Sequence, residues 1–327
     1  MKLKLFLLTF TAVAVISLAN ILIGYFLLPG PLVETQTIII KPKLSTKDIS
    51  KLLAKNNVIK HRKLFELISR IYSYYSPLKS GEYNFTNGIT PYQVITKLAS
   101  GKSIIHRLFI PEGYTVKEIL ERINSEERLV GKVTSNIPEG YLMPSTYFYT
   151  YGDQRENLID IMRNNMSRTL DEVMSKLPAN SPLKTRRDVL ILASIVEKEA
   201  GNNEERPKVA AVFLNRLKKR MRLQADPTTA YAITKGEYKL MRPLKRSDLQ
   251  IDSPYNTYRI YGLPAGPISC PGRASLEAVV NPANIKALYF VVNGKNGHHF
   301  SNTLEEHNVH VRNYRARSRS KKVKIAN

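Results

Sequence analysis

A second cysteine is missing from this sequence. Cys270 stands alone, so no intrachain disulfide can form, and no paired Cys/His spacing of a structural zinc site is present. Cysteine therefore leaves the compartment open. Acidic residues are scarce as well: 27 Asp and Glu stand against 50 Lys and Arg, a formal net charge of +23. Such a balance attracts any polyanion, so three anionic partners have to be weighed: nucleic acid, membrane lipid and cell wall. Gly294 and Gly297 lack the spacing and strand context of a phosphate loop, which leaves nucleotide binding without support. His298, His299, His307 and His310 invite a metal reading, but no acidic ligand set and no His-Glu-x-x-His helix accompanies them, and no metal or other cofactor is assigned. The signature of bulk disorder is also lacking. With 327 residues, 43% of them hydrophobic, the chain can build a membrane segment plus one large or two modest globular domains.

What is present begins at the N-terminus. Lys2 and Lys4 precede an apolar run from Leu5 to Leu28 whose one strongly polar member is Asn20. That run is long enough to span a bilayer. Ser17-Leu18-Ala19 is a tolerable signal-peptidase site, so a cleaved signal peptide competes with a retained anchor. The chain stays apolar well past that site, through Ile21, Leu22, Ile23, Tyr25, Phe26 and Leu27, which favours the anchor. The basic residues 1–4 then stay in the cytoplasm and everything after Pro29 lies on the far side of a plasma (inner) membrane. Nucleic acid becomes the least suitable of the three polyanions.

After Pro29-Gly30-Pro31, one pattern occurs three times: a β-rich stretch, a turn, then a helix opened by Ser or Thr with an acid or amide three residues later. The openings are Ser45 to Asp48, Thr90 to Gln93 and Thr115 to Glu118, each followed by apolar residues at helical spacing. Strands are expected at 37–40, 82–85 and 104–110. Residues 35–124 thus read as a small α+β module. It resembles a LysM-like domain of the kind that binds N-acetylglucosamine polymers, and a purely structural α+β spacer fits the same pattern. A polar stretch, 124–136, leads into a larger α+β domain over 137–310, and residues 311–327 form a basic tail that reads as a solvated, disordered end, with a contact to anionic wall or lipid as the alternative.

The most informative helix runs from Thr185, a plausible N-cap, through Asp188 to Glu199, with Gly201 as a natural stop. Leu192, Ile195 and Val196 lie seven, four and three positions before Glu199, so its carboxylate emerges from the apolar stripe while Glu197 points almost the opposite way. A carboxylate among apolar groups, close to a helix C-terminus, should have a raised pKa and stay partly protonated. A general acid acting on a glycosidic oxygen needs that property. Taken alone, Glu199 also fits an end-of-helix residue that reaches solvent or a cation.

Longer blocks carry a resemblance to the YceG/MltG-like endolytic peptidoglycan (murein) transglycosylases: Glu139-Gly-Tyr-Leu-Met-Pro-Ser-Thr-Tyr147, Ala193-Ser-Ile-Val-Glu-Lys-Glu199, Val212-Phe-Leu-Asn-Arg-Leu217 and Leu223-Gln-Ala-Asp-Pro-Thr228. The resemblance continues through Ser253-Pro-Tyr-Asn-Thr-Tyr258, Gly262-Leu-Pro-Ala-Gly-Pro-Ile268 and Ala287-Leu-Tyr-Phe-Val-Val292, covering nearly the whole chain in order. Ala265 and Cys270 stand where that family often has Pro and Asn. The resemblance implies one catalytic glutamate, matched by Glu199, and no cofactor. It also implies the reaction: cleavage between N-acetylmuramic acid and N-acetylglucosamine with the muramyl C6 hydroxyl as attacking group, leaving a 1,6-anhydromuramyl end.

Gln224, Asp226 and Thr228 on one loop, and Asn256, Thr257 and Tyr258 on another, offer short polar groups and aromatic surface suited to sugar contacts. Asp-Pro-Thr is equally a common turn and Asn-Thr a loop filler. Glu139 fits a supporting subsite residue or a turn carboxylate. Two other functions stay open at this point: a lysozyme-like hydrolase with Asp226 as second carboxylate, and a noncatalytic wall-binding scaffold. The expected partners are peptidoglycan strands, the membrane and wall-synthesis proteins, with no nucleic acid.

Overall fold

The capping signals act as expected. Ser45 accepts from the Asp48 amide, and Thr90–Gln93 and Thr115–Glu118 form reciprocal capping boxes, so three helices start at those positions. The computed structural model describes the backbone of residues 2–294 and 297–326, with side chains for 6–17, 19–294 and 297–317. The side chains of Lys2, Lys4, Leu5, Leu18, Arg319, Lys321 and Lys322 fall outside the described residues. The chain has the mixed α+β character its sequence implies, in two compact units.

The first unit comprises Met1–Arg107, Glu127–Val130 and Phe148–Gln154. Its elements begin with helix α1 (Lys2–Leu27), β1 (Gln36–Ile40), α2 (Thr46–Lys55) and α3 (Arg62–Tyr75). They continue with β2 (Gly81–Phe85), α4 (Pro91–Ser100) and the start of β3 (Ile105–Phe109). Within α1, Phe6–Leu27 is long and apolar enough to cross a membrane, with a mean hydropathy of 2.4 and none of it buried. β1 and β2 pair antiparallel, Ile38 opposite Tyr83 and Ile40 opposite Gly81, and their alternation turns Ile38, Ile40, Tyr83 and Phe85 inward. Leu53, Phe65, Val94 and Leu98 from the helices complete that core.

The second unit comprises Leu108–Glu126, Gly131–Tyr147 and Arg155–Asn327. It contains α5 (Val116–Asn124), the start of β4 (Thr146–Thr150), α6 (Arg155–Met174), α7 (Arg186–Glu199), α8 (Arg206–Lys218) and α9 (Asp226–Thr234). Beyond these come α10 (Arg273–Val280), the hairpin strands β5 (Tyr289–Val292) and β6 (His298–Ser301), and α11 (Leu304–Ala326). The third strand-then-helix repeat is thus divided, and α5 lies in this unit. The reason is visible at its N-terminus: the amide of Gly113 donates to the Cys270 carbonyl at 2.9 Å, and that of Val116 to Glu139 at 3.0 Å. The basic tail, expected as a disordered end, continues α11 as helix. α7 lies at the centre, packed by α6, α8 and α10, and every residue from Val189 to Val196 is buried.

Candidate active site

α7 starts as its sequence dictates. Thr185 Oγ1 accepts from the Asp188 amide at 3.1 Å, and the Asp188 carboxylate accepts from the Thr185 amide at 3.0 Å. The helix stops at Glu199, where its sequence ends it; Ala200, in extended conformation, is the C-cap, and Gly201 follows without a left-handed φ. Two carboxylates leave this last turn in different directions.

Glu197 goes to a clasp. Its side chain is 5% exposed, 2.7 Å from Arg206 Nη2, and it accepts from the Gly272 amide at 2.9 Å and Ser275 Oγ at 2.8 Å. Arg206 Nε also donates to Ser275 Oγ, at 2.9 Å, so one ion pair ties α7, α8 and α10 together. With every oxygen engaged, Glu197 is a structural residue.

Glu199 goes to an open cavity of about 380 Å³, whose lining includes Arg216, Gln224, Asp226, Tyr258, Tyr289 and His307. The Asp226 amide, at the N-terminus of α9, donates to the Glu199 carboxylate. Burial and, second, the charge of Asp226 raise its pKa to about 7, against the smaller opposing effects of Arg216 and that amide. At neutral pH the group is therefore close to half protonated, and it can give and take a proton at little cost.

The predicted sugar-contact residues divide. Gln224 and Asp226 are exposed in the cavity and Tyr258 partly so. Gln224 has a left-handed backbone, φ 50°, which turns the loop at the cavity edge. Tyr258 donates its phenol proton to Asp226 Oδ1 at 2.6 Å. Thr228, Asn256 and Thr257, by contrast, are 0% exposed and are not among the residues lining the cavity. Thr257 Oγ1 accepts from the Ala225 amide at 3.0 Å and lies 2.8 Å from Thr228 Oγ1. Asn256 donates to the carbonyls of Leu249 and Ile251 and accepts from Thr229 Oγ1. These three fasten the two loops behind the cavity wall.

Glu139 also lies outside the cavity. It accepts from the amides of Val116 and Gly140 and from the Tyr231 hydroxyl, holding the first turn of α5, while burial raises its pKa.

Three wall residues, Arg216, Tyr289 and His307, were not assigned to the sugar site from sequence. Arg216, inside the quoted block 212–217, is 8% exposed; its Nε donates to the Leu288 carbonyl at 2.7 Å and its guanidinium lies 5.1 Å from the Tyr289 ring centroid. Tyr289 stacks on His307 with centroids 5.3 Å apart. Of the other histidines, His298 Nδ1 is 2.8 Å from Glu205 and His299 stacks on His310. Among the described residues no three His, Cys, Asp or Glu side chains are grouped to hold a metal ion.

Comparison with known proteins places this geometry in context. The family model described as YceG-like matches residues 38–313. The chain is 31% identical over 299 residues to an endolytic murein transglycosylase of Bacillus subtilis (strain 168), covering 81% of this chain and 80% of the relative. An endolytic murein transglycosylase of Streptococcus pneumoniae serotype 2 is 28% identical, and there the match spans 82% of this chain and 56% of the relative. A crystal structure of a YceG-like protein from Listeria monocytogenes, at 2.6 Å, superposes with a TM-score of 0.54 at 33% identity, over 84% of this chain and 98% of that one.

Proposed function

Because the chain belongs to the YceG-like family, we propose that it is a lytic transglycosylase that cuts peptidoglycan strands internally, with Glu199 as its one catalytic residue. The observation that carries this reading is that one of the two carboxyl groups in an open cavity, that of Glu199, is held at a pKa of about 7. Glu199 protonates the oxygen between N-acetylmuramic acid and N-acetylglucosamine as the bond breaks, and an oxocarbenium-like centre develops at the muramyl anomeric carbon. The same carboxylate then accepts the proton of the muramyl C6 hydroxyl as that oxygen attacks, closing a 1,6-anhydro ring. Because the nucleophile belongs to the substrate, its effective concentration replaces the second carboxylate of a hydrolase. Gln224, Asp226 and Tyr258 contact the glycan from the cavity wall.

The remaining parts fit the same task. α1 anchors the chain in the plasma membrane, with residues 1–4 in the cytoplasm and the rest outside it. A LysM-like module, read from sequence over 35–124, holds glycan, and the catalytic domain over 137–310 cuts it close to where strands are made, beside wall-synthesis proteins. Hydrolysis is a second reading with one observation in its favour: Asp226 shares the cavity with Glu199. The engagement of Asp226 Oδ1 by Tyr258 counts against its freedom to activate water.

Mass spectrometry of purified glycan strands incubated with residues 30–327 separates these readings. Internal fragments with 1,6-anhydromuramyl ends, abolished in Glu199→Gln, are the expected result. Reducing ends would make the protein a hydrolase, and intact strands retained by the protein would make it a scaffold.

A further inference from the structure

At the outer end of α1 the first unit has a groove of about 1080 Å³ with walls of two kinds. Ile21, Tyr25 and Leu28 supply an apolar side; Lys60, Arg62 and Lys63 supply a cationic one. No acidic residue lines it, and none of the three cations has a carboxylate partner among the described residues. The groove is held in shape. Tyr25 donates its hydroxyl to the His61 carbonyl at 3.2 Å, with the two rings 5.4 Å apart, which fixes the Lys60–Lys63 segment against the helix. Just beyond α1, the Gly30 amide donates to the Ile89 carbonyl at 3.0 Å. A Cβ at Gly30 would meet that oxygen at 2.6 Å and the Val58 carbonyl oxygen at 2.9 Å, so only glycine fits this close approach. The chain leaving α1 is thereby seated directly on the unit.

Depth decides what can occupy the groove. Phe6–Leu27 has 22 residues, and at about 1.5 Å per residue it matches a hydrocarbon layer of about 30 Å. Leu28 then falls at the far boundary of that layer, Tyr25 at the level favoured by interfacial aromatics, and the cations in the headgroup layer. A ligand for this groove must be apolar at one end, anionic at the other and present at that depth. We propose that it binds an anionic phospholipid of the bilayer, with phosphate against Lys60, Arg62 and Lys63 and acyl chain against Ile21 and Leu28. This rests on the reading of α1 as a retained anchor. Cations at such a surface attract anionic lipid by about fivefold each, and here they are gathered on one side of a preformed groove.

The test uses the full chain in nanodiscs of equal phosphatidylglycerol and phosphatidylcholine, extracted and weighed by native mass spectrometry. The wild type should carry phosphatidylglycerol in several-fold excess, the Lys60→Ala/Arg62→Ala/Lys63→Ala variant should lose that excess, and the charge-preserving Lys60→Arg/Lys63→Arg variant should keep it. Equal retention of the two lipids by an inserted wild type, or an undiminished excess in the alanine variant, overturns the lipid site alone. A chain that alkaline carbonate strips from the bilayer overturns the anchor, and the lipid site with it.

Discussion

Asp226 acts on Glu199 twice and in opposite directions: its backbone amide donates to the Glu199 carboxylate, while its own charge raises the pKa of that group. Removing the charge without removing the amide separates the two effects. In Asp226→Asn the pKa of Glu199 should fall, since a repulsive neighbour is gone and the amide remains. A general acid must be protonated, so the alkaline limb of the pH–rate profile should move to lower pH. Tyr258→Phe leaves the Asp226 charge in place and strips it of its 2.6 Å donor, so that limb should stay or move upward. Movement in the same direction for both variants would mean that Asp226 does not act through its charge.

The raised pKa of Glu199 also has a consequence for stability. The folded value of about 7 exceeds the ordinary 4.5, so between these values the folded chain binds more protons than the unfolded one. Stability from this group is full below pH 4.5 and is lost as pH rises through about 7. The ceiling on that loss is about 3 kcal/mol at about 1.4 kcal/mol per unit. Glu199→Gln has no carboxylate to ionise, so its melting temperature should rise relative to wild type between pH 5 and pH 8. A difference that stays constant over that range would show an unperturbed carboxyl group.

Glu197 calls for the opposite expectation. Its side chain and that of Arg206 are 5% and 9% exposed, and removing one partner strands the other charge inside the protein. Arg206→Met should therefore destabilise the fold by about 3–5 kcal/mol, read as denaturant midpoint shift. The product of the remaining folded enzyme should still carry anhydro ends, because neither residue lines the Glu199 cavity. An unaltered midpoint would place the pair in solvent.

Thr257 distinguishes a loop fastener from a sugar contact. Thr257→Val keeps the shape and leaves the buried Ala225 amide without its 3.0 Å acceptor, which costs about 1–3 kcal/mol. Stability should fall, and kcat should fall with it because Gln224 and Asp226 lie on either side of Ala225. A rise in KM at unchanged stability would instead mean that the hydroxyl meets the glycan.

These contrasts mark what the sequence could and could not disclose. The capping pairs at Thr90, Thr115 and Thr185 and the position of Glu199 on its helix depend on near neighbours in the chain, and they are legible. Helical spacing separates Glu197 from Glu199, but it describes one helix facing one core. α7 is wrapped by α6, α8 and α10, so the side away from Glu199 is protein as well, and an apparently outward glutamate becomes a buried clasp. Short polar residues in a loop read alike whether their hydroxyls face a ligand or a backbone amide, which is why Thr228, Asn256 and Thr257 resembled Gln224 and Tyr258. Arg216, Tyr289 and His307 reach the cavity from α8, β5 and α11, a meeting that no local pattern encodes.

His307 provides the last expectation. It lines the cavity, its ring stacks on Tyr289, and its Nδ1 is buried without a hydrogen-bond partner. Burial, then the charges of Arg216 and His310, lower its pKa, so the ring is neutral at the pH where Glu199 is half protonated. The ring lines the cavity, but Nδ1 has no accessible surface, and leaving a buried nitrogen unpaired costs about 1–3 kcal/mol. His307→Phe removes that unpaired nitrogen while keeping an aromatic ring against Tyr289, so the free protein should be as stable as wild type or more so. Because that nitrogen does not reach the cavity, KM should stay within about twofold of wild type, with the anhydro product unchanged. A variant that is less stable, or one whose KM rises about tenfold, would show that the nitrogen has a partner after all, in the fold of α11 or in the substrate.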